Sequence, residues 1–126
     1  MGINSSLDPY IKPLYWLGSA LKDLKAMPEA VQDTVGYALY LAQTERKHDH
    51  AKPLRGFGPA GVLEVVESED NGTYRAVYTV KLGNSVYVLH SFQKKSSSCI
   101  ATPKPDVDLI RERLKAAEAH AKGESR

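Results

Sequence analysis

A chain of 126 residues suffices for one domain with a single core, and a second independent domain is not expected. Hydrophobic residues at 42% and charged residues at 25% exclude a disordered chain, and a net charge of +2 is too mild to argue for nucleic-acid binding from overall charge. The one cysteine, Cys99, excludes an intramolecular disulfide, and the lack of a leader pattern suits a cytoplasmic protein, while no apolar run approaches the roughly 20 residues of a membrane span.

Residues 1–9 carry no periodicity and read as a flexible leader, after which Tyr10 to Leu17 reads as a short edge strand that tolerates Pro13. Gly18 and Ser19 end it. Ser19 can cap a short helix with Leu21, Leu24 and Met27 on one face, and Pro28 suits the first turn of a second helix. In that second helix Val31, Val35, Leu39 and Ala42 recur at four-residue spacing, with Ala38 and Leu41 widening the stripe. Gly36 interrupts it, and close packing against a sheet is the expected reason. Gln43 to Ala51 reads as a loop, and the glycines and prolines of Lys52 to Pro59 argue against regular structure there. Three strands follow, Val62 to Ser68, Thr73 to Lys81 and Ser85 to Phe92, joined by Asn71-Gly72 and Gly83-Asn84 as tight hairpins. Asp106 can cap a last helix with Val107, Ile110, Leu114 and Ala117 on one side, fraying from Ala119. The prediction is an α+β domain over residues 10–118, in the order β-α-α-β-β-β-α, with a flexible tail over 119–126. Its small antiparallel sheet carries the helical hairpin on one face.

Two-residue hairpin loops would set Ser68 opposite Arg75, Val66 opposite Val77 and Glu64 opposite Thr79, then Arg75 opposite Phe92 and Val77 opposite His90. Period-two alternation then places Glu64, Val66, Ser68, Arg75, Val77, Thr79, Val88, His90 and Phe92 on one face, with Lys94 if the strand continues. Leu63, Val65, Tyr74, Ala76, Tyr78, Val80, Tyr87 and Leu89 form the opposite, apolar face that receives the helices. The mixed face gathers an arginine, a histidine, an aromatic ring and a lysine, with the Lys52 to Arg55 loop beside it.

That set suits a single-stranded RNA phosphodiester. Cleavage by the neighbouring 2′-hydroxyl needs a base, cations for the pentacoordinate phosphate and an acid for the leaving 5′-oxygen, and it requires no metal or cofactor. Arginine can hold two phosphate oxygens, lysine is a mobile point charge, and a ring such as Phe92 can stack a base. His90 brings the residue type most used for proton transfer near neutrality. Structural readings compete: Arg75 could pair with Glu64 or Glu67, the lysines could protect the sheet end, and His90 could be a packing residue. His48-Asp49-His50 has ligand types but no third ligand at telling spacing, and Cys99 has no adjacent base.

With W-L-G-S-A-L-K-D-L near the start, K-P-L-R-G-F-G in the middle, then Y-R-A-V-Y and Y-V-L-H-S-F-Q-K-K-S, the chain resembles the RelE/ParE superfamily of bacterial toxins over roughly Lys12 to Leu114. It is most similar to the phage-derived HigB-like branch. The resemblance implies a type II toxin: a metal-independent endoribonuclease that cuts mRNA, usually on the ribosome, and inhibits translation. A cognate antitoxin with a helix-turn-helix domain would neutralise it. Arg75 would hold the scissile phosphate, Lys94 or Lys95 would supply the C-terminal cation, and Lys52 and Arg55 would occupy the loop that activates the 2′-hydroxyl. The chain departs from the pattern in having no tyrosine after Tyr87, where RelE stacks a base, and in offering only His90 on the sheet. Phe92 is then the available stacking ring. The alternatives are a ParE-like toxin that binds gyrase without RNase activity, and a non-catalytic nucleic-acid-binding or adaptor module.

Overall fold

The computed structural model describes residues 11–69, 72–94 and 102–124; residues 1–9, Asn71, Lys95 and Cys99 lie outside the described residues. Strand β1 (Leu14–Trp16) leads into helices α1 (Ala20–Lys25) and α2 (Glu29–Gln43). Then come β2 (Ala51–Pro53), a 3-10 turn (Gly58–Ala60), β3 (Val62–Glu69), β4 (Gly72–Leu82), β5 (Ser85–Lys94) and α3 (Lys104–Glu124). The sheet order is β1-β5-β4-β3-β2; β1 runs parallel to β5 and every other neighbour is antiparallel. The α+β class and the order of the helices follow the sequence pattern, but α3 covers the mixed face instead of joining the hairpin on the apolar one. One strand exceeds that pattern, because Ala51–Pro53 pairs with Leu63–Val65 and so forms the edge beyond β3. Proline is tolerated there because an edge strand has one side free of ladder bonds.

The helical hairpin forms where the spacing predicts it. Pro28 precedes α2, whose buried stripe runs through Val31, Val35, Ala38, Leu39 and Ala42. Gln32 Nε2 donates to the carbonyls of Lys25 (3.2 Å) and Met27 (2.9 Å), which covers the open end of α1. Ser19 stands at the N-cap of α1, yet its hydroxyl donates to Asp23 Oδ2 at 2.7 Å rather than accepting a backbone N–H. Gly36 corrects the packing expectation: it is exposed, and a methyl group there would meet nothing within 4 Å. Gly36→Ala is therefore expected to stabilise the fold by about 1 kcal/mol, read as a higher urea midpoint at unchanged slope.

Both faces of the sheet are covered. The α1–α2 hairpin packs with Val65, Tyr74, Ala76, Tyr78, Val86 and Val88, while α3 packs with Val77, Tyr87, Leu89 and Phe92 through Ile110, Ala117 and Ala121. The side chains of Val88, Tyr87 and Leu89 thus face opposite to the simple alternation. The cause is a β-bulge: Val77 pairs with His90 but Tyr78 with Val88, so Leu89 has no partner and the faces exchange there. Arg113 of α3 secures the bulge, its Nη1 donating to the Leu89 carbonyl at 2.9 Å and its Nη2 to Ser19 Oγ at 3.3 Å. Gly18, with φ +53°, leaves room for that guanidinium, since a Cβ would lie 2.6 Å from Nη2. Helix α3 continues to Glu124, past Ala119 where fraying was expected, because Ala117 and Ala121 remain buried against the sheet.

Tyr78 is fully buried and its hydroxyl has no hydrogen-bond partner among the described residues; burial pushes that hydroxyl from its usual 10 up to about 12. Because the folded pKa is the higher one, this residue's contribution is complete below pH 10 and is lost as pH rises toward about 12. Tyr78→Phe is expected to stabilise the protein by about 1 kcal/mol at pH 7, by removing an unsatisfied donor. It should also flatten the loss of stability above pH 10, both read from denaturant melts across that range. No described helix is long and apolar enough to cross a membrane.

Candidate functional site

The register of β3 against β4 differs from the expected one by two residues. Val66 pairs with Arg75, Glu64 with Val77 and Ser68 with Thr73, because the strands meet as far as Glu69 and Gly72. A slip of two preserves the face each side chain takes but changes its neighbours. Glu64 moves from four residues away to a diagonal position beside Arg75, within reach of a long side chain. The contact forms: Arg75 Nη1 donates to Glu64 Oε1 at 2.7 Å, with both side chains buried. On the other side Lys52 of β2 pairs directly with Glu64, and its Nζ lies 4.0 Å from Oε2. Lys52, expected in a loop, is delivered by an edge strand.

These three residues line a cavity of about 300 Å³ with Pro53, Leu54, Arg55, Thr102 and Val107. Leu54 is fixed by its N–H to the Val62 carbonyl at 2.9 Å, and the loop after it by Arg111 of α3. The Arg111 guanidinium lies 4.5 Å from the centre of the Phe57 ring and donates to the Gly56 carbonyl at 3.2 Å. Gly56, at φ +94°, takes a backbone conformation open to glycine. Arg55 and Lys52 are thereby held at the rim, both exposed, over a floor of Arg75 and Glu64.

Arg75 uses only part of its donor set on Glu64; its Nε is buried with no hydrogen-bond partner among the described residues. Lys94 is 7% exposed and its amine also lacks a partner among the described residues. The β4–β5 register pairs Arg75 with Phe92 and Thr73 with Lys94, so Lys94 is a diagonal neighbour of Arg75 on the same face. Two buried cationic side chains, each with a donor unused among the described residues, are therefore diagonal neighbours on one face. Burying such groups without partners is costly, and an anion at this place would satisfy both.

His90 and Phe92 share that face but do not line the cavity. Phe92 is 9% exposed and its ring stacks on the His90 imidazole, centroids 4.6 Å apart at 15°. His90 Nε2 lies 2.7 Å from Asp106 Oδ1, and its Nδ1 is buried with no partner among the described residues. Asp106, expected at a helix cap, is instead the third residue of α3 and turns to the sheet. Lys95 lies outside the described residues. The His48 ring accepts the His50 backbone N–H on Nδ1 at 2.9 Å and meets the exposed Tyr37 edge-on.

The main addition to the sequence-derived set is Glu64. Its signal is a carboxylate on the same face as Arg75 in the adjacent strand, and only the register separates a bonded neighbour from a distant one. Thr102 and Val107 have no chemical signature, since α3 brings them to the cavity by packing. Residues 22–115 match the family described as Phage derived protein Gp49-like, a span that includes every residue lining the cavity. No curated protein matches the chain.

Proposed function

The chain belongs to the Gp49-like family of phage-derived proteins, a RelE/toxin-like family, and on that premise we propose that it is the toxin of a type II toxin–antitoxin system. It acts in the cytoplasm as a HigB-like endoribonuclease on mRNA bound to the ribosome, and a helix-turn-helix antitoxin holds it in check. The observation that carries this reading is the pair of buried cations left without partners among the described residues: Arg75 Nε, whose side chain lines the cavity rimmed by Lys52 and Arg55, and Lys94 Nζ on the same face.

A phosphodiester in the cavity receives a hydrogen bond from Arg75 Nε–H, and Lys94 adds a second positive charge where the pentacoordinate phosphate accumulates negative charge. The 2′-oxygen forms a bond to phosphorus as the bond to the 5′-oxygen breaks, leaving a 2′,3′-cyclic phosphate and a 5′-hydroxyl. Glu64 Oε2, which lies 4.0 Å from Lys52 Nζ while Oε1 holds Arg75, takes the proton of the 2′-hydroxyl. Lys52 gives a proton to the leaving 5′-oxygen. Arg55 at the rim holds a neighbouring phosphate, which fixes the register of the RNA without reading its bases. His90 and Phe92, buried against each other, support the floor rather than touch the RNA.

The test is induction of the chain from a tightly repressed promoter, with mRNA 5′ ends mapped and plasmid supercoiling followed in the same cells. The expected result is a set of in-frame cuts within translated regions that disappears in Arg75→Ala, with supercoiling unchanged. Growth arrest with intact mRNA would sink the reading, and altered supercoiling would favour a gyrase-directed toxin instead.

A further inference from the structure

Among the described residues, the Asp106 side chain is bonded to the sheet rather than to a backbone N–H of its own helix. Helix α3 begins two residues earlier at Lys104, and the backbone N–H groups of Asp106 and Val107 already bond the Pro103 carbonyl at 3.1 and 3.0 Å. The side chain reaches instead to the sheet, where Oδ1 meets His90 Nε2 at 2.7 Å. A carboxylate at that position accepts from Nε2–H, so it selects one of the two neutral tautomers and one of the two ring orientations. The opposite nitrogen, Nδ1, is buried without a partner among the described residues, so none of them selects between these states.

The imidazole so held lies nearly parallel to the Phe92 ring, at 15° and 4.6 Å. Phe92 is the cross-strand partner of Arg75, and directly paired side chains on one sheet face lie about 5 Å apart at Cβ. Asp106 also precedes Val107, which lines the cavity together with Thr102. One carboxylate is thus connected to both the floor and the wall of the site. It orients the stack that flanks Arg75, and it ties the first turn of α3 down beside the cavity.

We propose that Asp106 is a positioning residue for Arg75, acting through the His90–Phe92 stack, so that the guanidinium meets the phosphate in the orientation that stabilises the transition state. The proposal rests on the cavity being the phosphodiester site. A carboxylate that merely fastens α3 to the sheet would change stability and leave turnover alone, whereas a positioning residue changes kcat more than KM.

The experiment compares Asp106→Ala and Asp106→Asn in the full chain, on ribosomes programmed with a defined mRNA. Asparagine keeps a carbonyl oxygen for Nε2–H; alanine does not. Asp106→Ala is expected to lower kcat by about tenfold to a hundredfold with KM changed by less than about threefold, and Asp106→Asn to return kcat to within about threefold of the parent. The 15N signals of the His90 ring should report an Nε2–H tautomer in the parent and in Asp106→Asn, and an averaged ring in Asp106→Ala. An unchanged kcat in Asp106→Ala overturns the proposal even where its melting temperature falls, and so does an Asn variant as slow as Ala. Should Asp106→Ala not fold, Asp106→Glu, which shifts the carboxylate by one methylene, is expected to lose more kcat than Asp106→Asn; the reverse order overturns the proposal.

A parent protein that cuts no RNA would defeat the nuclease reading by itself. The positioning role is then decided by titrating inorganic phosphate against the Arg75 Nε–H signal. Weaker phosphate binding in Asp106→Ala than in the parent supports it, and equal or absent binding in both overturns it.

Discussion

Arg75→Ala is expected to slow mRNA cleavage by at least about a hundredfold, the usual cost of removing one donor aimed at charge that develops in the transition state. The basis is geometric. Arg75 is anchored through Nη1 to Glu64 at 2.7 Å, and among the described residues its Nε and the amine of its diagonal neighbour Lys94 have no partner. An arginine held at one end with a free donor is preorganised, so little conformational entropy is lost when phosphate arrives. Arg75→Lys keeps the charge but cannot reach Glu64 and phosphate with one planar fork, and an intermediate rate is expected. Each rate is to be measured on protein whose melting curve shows it folded, because removing the guanidinium leaves Glu64 with Lys52, at 4.0 Å, as its ion-pair partner among the described residues. A folded Arg75→Ala that cuts mRNA within a few-fold of the parent rate removes Arg75 from the mechanism.

Glu64→Ala is expected to cost about 3 kcal/mol of folding stability, since it strands the buried Arg75 charge. The two partners are 7% and 10% exposed at the side chain, so solvent offers little compensation. Glu64→Gln keeps an oxygen for Arg75 Nη1 and should lose much less stability, yet it cannot take a proton as a carboxylate does. The expected pattern is a small change in melting with a fall in kcat of about a hundredfold or more. Combining Glu64→Leu with Arg75→Met removes both charges, and that double variant should be more stable than either single one, because an apolar pair no longer strands a charge. Urea melts of the four proteins give the coupling directly. Additive losses would show that the pair does not stabilise the fold as a unit.

The two helices of the hairpin and the three long strands were legible because their signals are local. The four-residue recurrence of Val31, Val35 and Leu39 and the alternation within β4 depend only on backbone geometry. Arg75 opposite Phe92 and Val77 opposite His90 were also legible, since the Gly83-Asn84 turn sets Leu82 opposite Ser85 and the two register shifts between, at Thr79/Leu82 and Val77/Tyr78, cancel. Strand β2 was not, because Lys52 and Pro53 have little strand propensity and pair only when β3 offers an open edge. Gly36 misled for a related reason. A glycine in a helix announces a local cost, but not whether a neighbour stands above it.

By itself, then, the order of residues determined the class of fold, the face on which each residue of β3 and β4 lies, and the collection of cations around Arg75. Alternation has a period of two, and the β3–β4 slip was also two, so the faces survived while the neighbours changed. Tertiary structure decided which members of that face meet. Glu64 reaches Arg75 only in the realised register, and the extra residue at Leu89 turns Tyr87 and Leu89 toward α3. His90 and Phe92 were readable as a histidine and a ring on the functional face. Their burial depends on the docking of α3, which lies across the sheet through contacts distant in sequence. Local periodicity encodes direction, while contact, burial and unmet hydrogen bonds are set by the packing of the whole chain.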